Sequence, residues 1–398
     1  MNDYRLLEGG REAFSEIINC IRNAEKSIEI HMFIWRDDRI GNRLAKEVAD
    51  AADRGVKITI VKDRYGSVCE YSEEGGRSFF HYEPVLPDLI KANALKLGYH
   101  PEMLKKRCRQ EMPDRFWRLF SHPNVMIRRD QLLKDHSKFY VIDEKILILG
   151  GINVEDKEIG KDMRGMAYLD YMIAFYSEDI VSRFRDFYKD VQNKDLLFAR
   201  NDATAGYFGI KERMLELIDQ AERKLLIVMP YFSMYKEVAK AIEKADERGV
   251  SITVVLPKAA NFYDDTNKQT MNDWRRRTGA LQILFSDRMV HAKVMMSEKE
   301  ITVGSCNLNR RSLDSLGELN VFLPADAAAF PGGDPDGTYA AFLDDLKSHI
   351  QKIAAEAAPA TEAGLMFSRK KAGFESFSYY AENLFKGRGR KHDKGENV

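Results

Sequence analysis

One block of this chain occurs twice. His136-Ser137-Lys138, followed by Asp143 and then Gly150-Gly151-Ile152-Asn153, returns as His291-Ala292-Lys293, followed by Glu298 and then Gly304-Ser305-Cys306-Asn307. In both copies the Lys lies two residues after the His and the acid five after the Lys. A chain that repeats its chemistry-bearing residues at matched spacing folds as two similar units, and their residues converge on one site. The flanking segments repeat as well. Asp53-Arg54-Gly55-Val56-Lys57-Ile58-Thr59-Ile60-Val61 matches Glu247-Arg248-Gly249-Val250-Ser251-Ile252-Thr253-Val254-Val255. Each reads as a helix end, a glycine cap and a strand of β-branched residues. Upstream of each lies a helix, near residues 11–24 and 210–222, and an apolar strand, residues 27–34 and 224–231. Alternating helices and strands imply an α/β architecture.

The two repeats differ in length. Arg54 and Arg248 are 194 positions apart and His136 and His291 only 155, so the first repeat carries 39 extra residues within about 67–125. This insertion holds Arg77-Ser78-Phe79-Phe80-His81-Tyr82 and Arg115-Phe116-Trp117-Arg118-Leu119-Phe120. Such aromatic and Arg clusters either lie at a membrane interface or are buried in a lid or subunit contact. The expected division is a first half at 1–200, a second at 201–350, and a C-terminal tail at 351–398. The tail opens with a linker at 355–364, and its Phe, Tyr, Lys and Arg residues either meet an anionic lipid surface or pack on the body.

Residues 135–143 read as a strand on which His136 and Lys138 share a face. The glycines after the next strand permit close approach of backbone to a ligand, and Asn153 and Asn307 add amide donors. Two His, two Lys and two Asn together can cradle a phosphoryl group. The cations and amides stabilise charge on its oxygens; one neutral imidazole attacks phosphorus and the other passes a proton to the leaving alkoxide. Each His needs an orienting carboxylate, and Asp170 and Glu318, each on a strand some thirty residues after one His, are the candidates. None of the usual metal-ligand spacings appears, and the chemistry calls for neither metal nor cofactor.

The bulk properties narrow the substrate. The net charge is zero, which counts against nonspecific nucleic-acid binding. The four cysteines are scattered and point to a reducing compartment. No run approaches the ~20 apolar residues of a membrane span, and no secretory leader is visible.

With these residues in view, the chain resembles the phospholipase D superfamily, whose signature is a duplicated H-x-K with a downstream Asp and G-[GS]-x-N. Ile40-Gly41-Asn42, Asp63-Arg64-Tyr65-Gly66-Ser67, Pro230-Tyr231-Phe232 and Asn307-Leu308-Asn309-Arg310-Arg311-Ser312 are similar to bacterial cardiolipin synthases, over roughly residues 10–345. The resemblance implies two tandem α/β/α repeats whose mixed sheets are related by a pseudo-two-fold, with the site in the cleft between them. It implies His136 as nucleophile and His291 as general acid and base. Asp143 and Glu298 would complete the two motifs. Lys138, Lys293, Asn153 and Asn307, with Gly151 and Ser305 of the turns, would bind phosphate. The reaction implied first is transfer of a phosphatidyl group from one phosphatidylglycerol to another by a cytoplasmic protein peripheral on the inner face of the cell membrane. The alternatives are hydrolysis or transfer to another alcohol, since the motif does not set the acceptor, and, against the neutral charge, phosphodiester cleavage of nucleic acid by the same site. The sequence departs from the family pattern at Glu298, in the long insertion, and in lacking the N-terminal membrane helices of many cardiolipin synthases.

Overall fold

The computed structural model describes residues 3–74, 78–80, 85–96, 99, 114–129, 131–160 and 167–384. The first half is built on seven strands: β1 (Tyr4–Glu8), β2 (Ser27–Met32), β3 (Lys57–Lys62), β4 (Val125–Arg128), β5 (Phe139–Ile142), β6 (Ile146–Gly150) and β7 (Tyr171–Tyr176). Its helices are α1 (Gly9–Asn23), α2 (Arg39–Asp53), α3 (Arg64–Glu74), α4 (Leu86–Lys96), α5 (Asp114–Phe120), α6 (Asp156–Ile159) and α7 (Glu178–Lys189). The second half holds β8 (Phe198–Asp202), β9 (Tyr207–Phe208), β10 (Lys224–Val228), β11 (Ser251–Pro257), β12 (Gln282–Ser286), β13 (Val294–Ser297), β14 (Glu300–Gly304), β15 (Glu318–Pro324) and β16 (Ala358–Pro359). With them come α8 (Gly209–Gln220), α9 (Lys236–Glu247), α10 (Asp264–Arg277), α11 (Arg310–Asp314), α12 (Thr338–Glu356) and α13 (Arg369–Leu384).

The duplication is visible strand by strand. The first sheet runs β1-β7-β6-β5-β2-β3-β4, and the second runs β8-β15-β14-β13-β10-β11-β12 with β9 and β16 added at its edges. In each, the three strands at one end are parallel and the rest antiparallel. Sequence patterning accounts for the elements. Phe14, Ile17, Ile18 and Ile21 recur at helical spacing and are buried, so α1 lies on its sheet. β2 alternates, with Ile28, Ile30 and Met32 inward. α2 starts where Asp38 accepts the Gly41 N–H at 3.0 Å. It is followed by Gly55 at φ +98°, as α9 is by Gly249 at φ +82°; this left-handed backbone is the reason both caps are glycine.

β5 shows how the halves are joined. All four of its residues are buried. Tyr140 and Ile142 face α1 and α2 within the first half, whereas Phe139 and Val141 enter a core shared with Val294, Val303, Leu319 and Val321 of the second half. Strands buried on both faces read as continuous apolar runs, and β5 and β6 do. α7 and α12 contribute Phe184, Phe187, Leu343 and Leu346 to the same shared core.

Two expectations change. Residues 355–364 are not a linker. α12 continues to Glu356, Ala358 and Pro359 pair with β12, and Leu365 is buried in the second core. The strand expected over 135–143 is only Phe139–Ile142, because residues 135–138 pair elsewhere, as set out below. The insertion lies in the β3-to-β4 crossover. Phe79 and Phe80 pack on Trp35 and, with Leu119, are buried in the first core, whereas Trp117 and Arg118 are exposed, Arg118 pairing with Asp50 and Asp53. Arg77, His81, Tyr82 and Cys108 lie outside the described residues. Among the described residues no helix is long and apolar enough to cross a membrane.

Candidate active site

The segment before each motif strand pairs with the other half. Asp135 bridges Gly317 in parallel and Leu169 bridges Val290 in the same sense. The His136 N–H donates to the Gly317 carbonyl at 2.7 Å, and the His291 N–H to the Leu169 carbonyl at 2.8 Å. Each His is thereby set next to the residue following its bridge partner. His136 Nδ1 lies 2.9 Å from Glu318 Oε2, and His291 Nδ1 lies 2.8 Å from Asp170 Oδ2. The pairing is the reverse of what sequence distance implied: each carboxylate serves the His of the opposite half. A carboxylate on Nδ1 holds its proton there and leaves Nε2 as the free nitrogen.

The turn residues explain how the carboxylates are held. A Cβ at position 151 would lie 2.4 Å from Asp170 Oδ1, so only glycine leaves room for that carboxylate. The matching residue of the second half, Ser305, instead donates its hydroxyl to Glu318 Oε2 at 2.5 Å. Gly151 and Ser305, expected on the phosphate, therefore stand behind the histidines and seat their partners.

Asp143 and Glu298 do not reach the site. Asp143 sits in a turn at the far end of β5, where its carboxylate accepts the N–H groups of Glu25, Lys26 and Ser27 at 2.7–2.9 Å. Glu298 does the same for Glu222 and Lys224. At ~3.3 Å per residue, seven residues separate each acid from its His by about 20 Å. Both acids fasten the start of the neighbouring strand, a task either carboxylate performs, which is why Glu298 departs from the motif without loss.

His136, His291, Asn153 and Asn307 open together on one cavity. The side-chain Oδ1 atoms of both Asn are buried with no partner among the described residues. Lys138 and Lys293 are fully buried behind the histidines, and each amine donates to the carbonyl of its own His. The Lys293 amine also lies 2.9 Å from His291 Nδ1 and 3.5 Å from Asp170 Oδ2. Since Nδ1 gives its proton to Asp170, Lys293 is best matched to the carbonyl and the carboxylate.

Burial sets the charge states. Desolvation lowers the pKa of His136 below its ordinary value, partly opposed by Glu318. Burial and the Lys293 charge lower that of His291 to about 4 against the pull of Asp170. Both imidazoles are neutral at pH 7. Burial also brings Lys138 down to about 7 and lowers Lys293.

Several cavity residues were not foreseen. Glu158 is buried 3.8 Å from His291 Nδ1 and accepts the Asn153 N–H; burial, then Asp170 and Glu155, push its pKa well above its ordinary value. It lies five residues after Asn153, as Ser312 lies five after Asn307, and that spacing was the available signal. Aromatic rings flank the imidazoles: Phe33 edge-on to His136 at 4.6 Å, and Tyr168 at 5.6 Å from His291. Arg311 reaches the cavity between the hydroxyls of Tyr65 and Tyr263. The insertion supplies wall residues Cys69, Glu73, Leu95 and Tyr99.

Glu158, Asp170 and His291 bring their ligand atoms within 4.8 Å of one another. The Lys293 amine, 3.5 Å from Asp170 Oδ2, competes with a divalent cation for that carboxylate.

Comparison with known proteins follows the same line. A family model described as cardiolipin synthase, PLD-like domain, matches residues 17–190 and 214–330. Cardiolipin synthase B of Shigella flexneri is 25% identical over 346 residues, covering 81% of this chain and 76% of that protein. Cardiolipin synthase of Clostridium perfringens is 22% identical over 366 residues, covering 82% and 68%. The crystal structure of phosphatidylserine synthase from Haemophilus influenzae Rd KW20 superposes with a TM-score of 0.65 at 14% identity, covering 96% of this chain and 95% of that one, a likeness of fold. The duplicated sheets, the crossed histidine–carboxylate pairs and the match over both halves place the chain in the family of cardiolipin synthase, phospholipase D-like domains.

Proposed function

We propose that the protein is a phosphatidyltransferase that makes cardiolipin and glycerol from two molecules of phosphatidylglycerol. The observation that carries this reading is the pair of imidazoles, each tied through Nδ1 to a carboxylate, facing one cavity beside two asparagines. In the first step His136 Nε2 attacks phosphorus. The N–P bond forms as the P–O bond to the glycerol headgroup breaks, and His291 gives its proton to the departing oxygen. In the second step the hydroxyl of another phosphatidylglycerol passes its proton to His291, its oxygen attacks phosphorus, and His136 leaves. Burial first, and then the Lys293 and Lys138 charges, depress the pKa of His291; an arriving phosphodiester anion opposes this and so favours the protonated acid. Asn153 and Asn307 hold the phosphoryl oxygens as charge builds on them, while Lys138 and Lys293 act from behind the histidines through their charge. The cardiolipin synthases among the relatives support a lipid substrate.

Purified protein incubated with phosphatidylglycerol vesicles should yield cardiolipin and glycerol by mass spectrometry. Phosphatidic acid as sole product would make it a hydrolase. Inert lipid together with cleavage of single-stranded DNA would defeat the proposal. In the same assay His136→Ala should abolish a trapped phosphohistidine adduct; an adduct persisting on His291 would reverse the two roles.

A further inference from the structure

Eleven large apolar side chains are exposed among the described residues, and six of them belong to α4, α13 and the residues leading into them: Val85, Leu86, Ile90, Met366, Phe374 and Phe377. α13 packs on α10 and on α4, so these side chains lie on adjoining elements. The stripe on α13 is organised. Lys370, Phe374 and Phe377 follow each other at helical spacing and are exposed, while Ala372 and Glu375 on the other side are buried. Glu375 ties the helix down: it accepts the N–H and hydroxyl of Thr266 at 2.7 Å and the Asp265 N–H at 3.3 Å, in the first turn of α10. The helix thus presents its aromatic and basic side outward.

Among the described side chains of α4 and α13 the exposed charges have one sign. Arg369, Lys370 and Lys371 are exposed, whereas Asp88 and Glu375, the carboxylates of α4 and α13 with described side chains, are buried. This excess stands on a chain whose net charge is zero. α4 also carries Leu95, which with Tyr99 lines the cavity of the two histidines, so the helix that bears this face also forms part of the cavity wall. Exposed aromatics interleaved with cations, over a low background of negative charge, are the chemistry of an anionic bilayer surface: the rings enter the headgroup region and the cations meet lipid phosphates. We infer that the α4–α13 face is the membrane-docking surface, and that it seats the cavity against anionic lipid. The inference rests on the lipid substrate proposed above, but its test does not need turnover.

The test is co-sedimentation of the full chain with vesicles of equal phosphatidylglycerol and phosphatidylcholine. The wild type should bind these, bind pure phosphatidylcholine weakly, and lose binding in high salt. Phe374→Ser with Phe377→Ser should lower the bound fraction roughly tenfold or more. Lys370→Glu with Lys371→Glu should do the same and remove the salt dependence. Turnover of a short-chain, monomeric phosphatidylglycerol should stay within about twofold of wild type in both variants, since bulk-lipid contact is not needed there. If circular dichroism shows either variant unfolded, Leu86→Asp on α4 replaces it with the same expected loss. Undiminished sedimentation of folded variants overturns the inference. So does a dimer, seen by analytical ultracentrifugation, that the substitutions break while vesicle binding stands. Loss of sedimentation in the variants with no turnover of short-chain lipid by the wild type would leave the docking face intact and refute the proposed reaction instead.

Discussion

Gly151 and Ser305 occupy matching places and solve one problem in two ways. Gly151 withdraws so that Asp170 fits, and Ser305 reaches out to hold Glu318. Gly151→Ala should therefore displace Asp170 and cut turnover about a hundredfold or more while the protein stays folded, since misplacing an imidazole's orienting group is costly. Steady-state kinetics beside a thermal melt would check this, and an unchanged kcat would show that Asp170 does not act on His291. The same carboxylate logic separates Asp143 from the site. Asp143→Ala removes an acceptor from three backbone N–H groups, so it should cost stability, about 1–3 kcal/mol, and leave kcat nearly unchanged. The pH dependence follows from the lowered histidines. A nucleophilic imidazole works only when deprotonated, and burial holds the pKa of His136 below 6.5. The acid limb of kcat/KM should accordingly fall below pH 6.5; a limb at or above that value would mean that the attacking imidazole is not depressed in the free protein. At this scale the duplicated motif was legible because its residue types and spacing recur. Glu158 was not, because its partner in the second half is Ser312, a different residue type, and only the interval is shared.

Among the elements, α10 and α13 depend on each other. α10 begins after Tyr263 at φ +57°, with no cap from its own chain neighbours, and Glu375 of α13 supplies the missing acceptor. Glu375→Ala should cost about 1–2 kcal/mol in urea unfolding, the worth of a lost helix cap. Burial raises the Glu375 pKa to about 7, against an unfolded value near 4.3. The folded state therefore binds more protons between those values, and the contribution of this group to stability declines as pH rises from about 4.3 to about 7. Amide exchange in α13, corrected for intrinsic rate, should accelerate over that range; flat protection would show that the carboxyl does not govern docking. Helix and strand positions in the repeats could be read from apolar periodicity and glycine caps. The pairing of Ala358 and Pro359 with β12 could not, because a two-residue edge strand carries no periodic signal. The aromatics of the insertion were ambiguous for a related reason: composition alone does not say whether Phe79 and Phe80 meet lipid or Trp35.

At the scale of the whole molecule, the two halves share a core as well as a site. Phe139, Val141 and Leu149 of one half are buried with Val294, Val303 and Leu319 of the other. Unfolding should thus be a single cooperative transition by both near- and far-UV circular dichroism, and Leu149→Ala should lower the one midpoint at a cost of about 2–5 kcal/mol. Two resolved transitions would show that the halves are independent. The duplication, the mixed α/β repeats and the convergence of His, Lys and Asn were set by the sequence itself, since local periodicity and repeated residue types are properties of the chain read in order. Which carboxylate serves which histidine was decided only in three dimensions. The bridges Asp135–Gly317 and Leu169–Val290 join segments far apart in the chain, and they exchange the partners that sequence distance would assign. A pattern confined to one half cannot encode that exchange, because its cause is the packing of one sheet against the other.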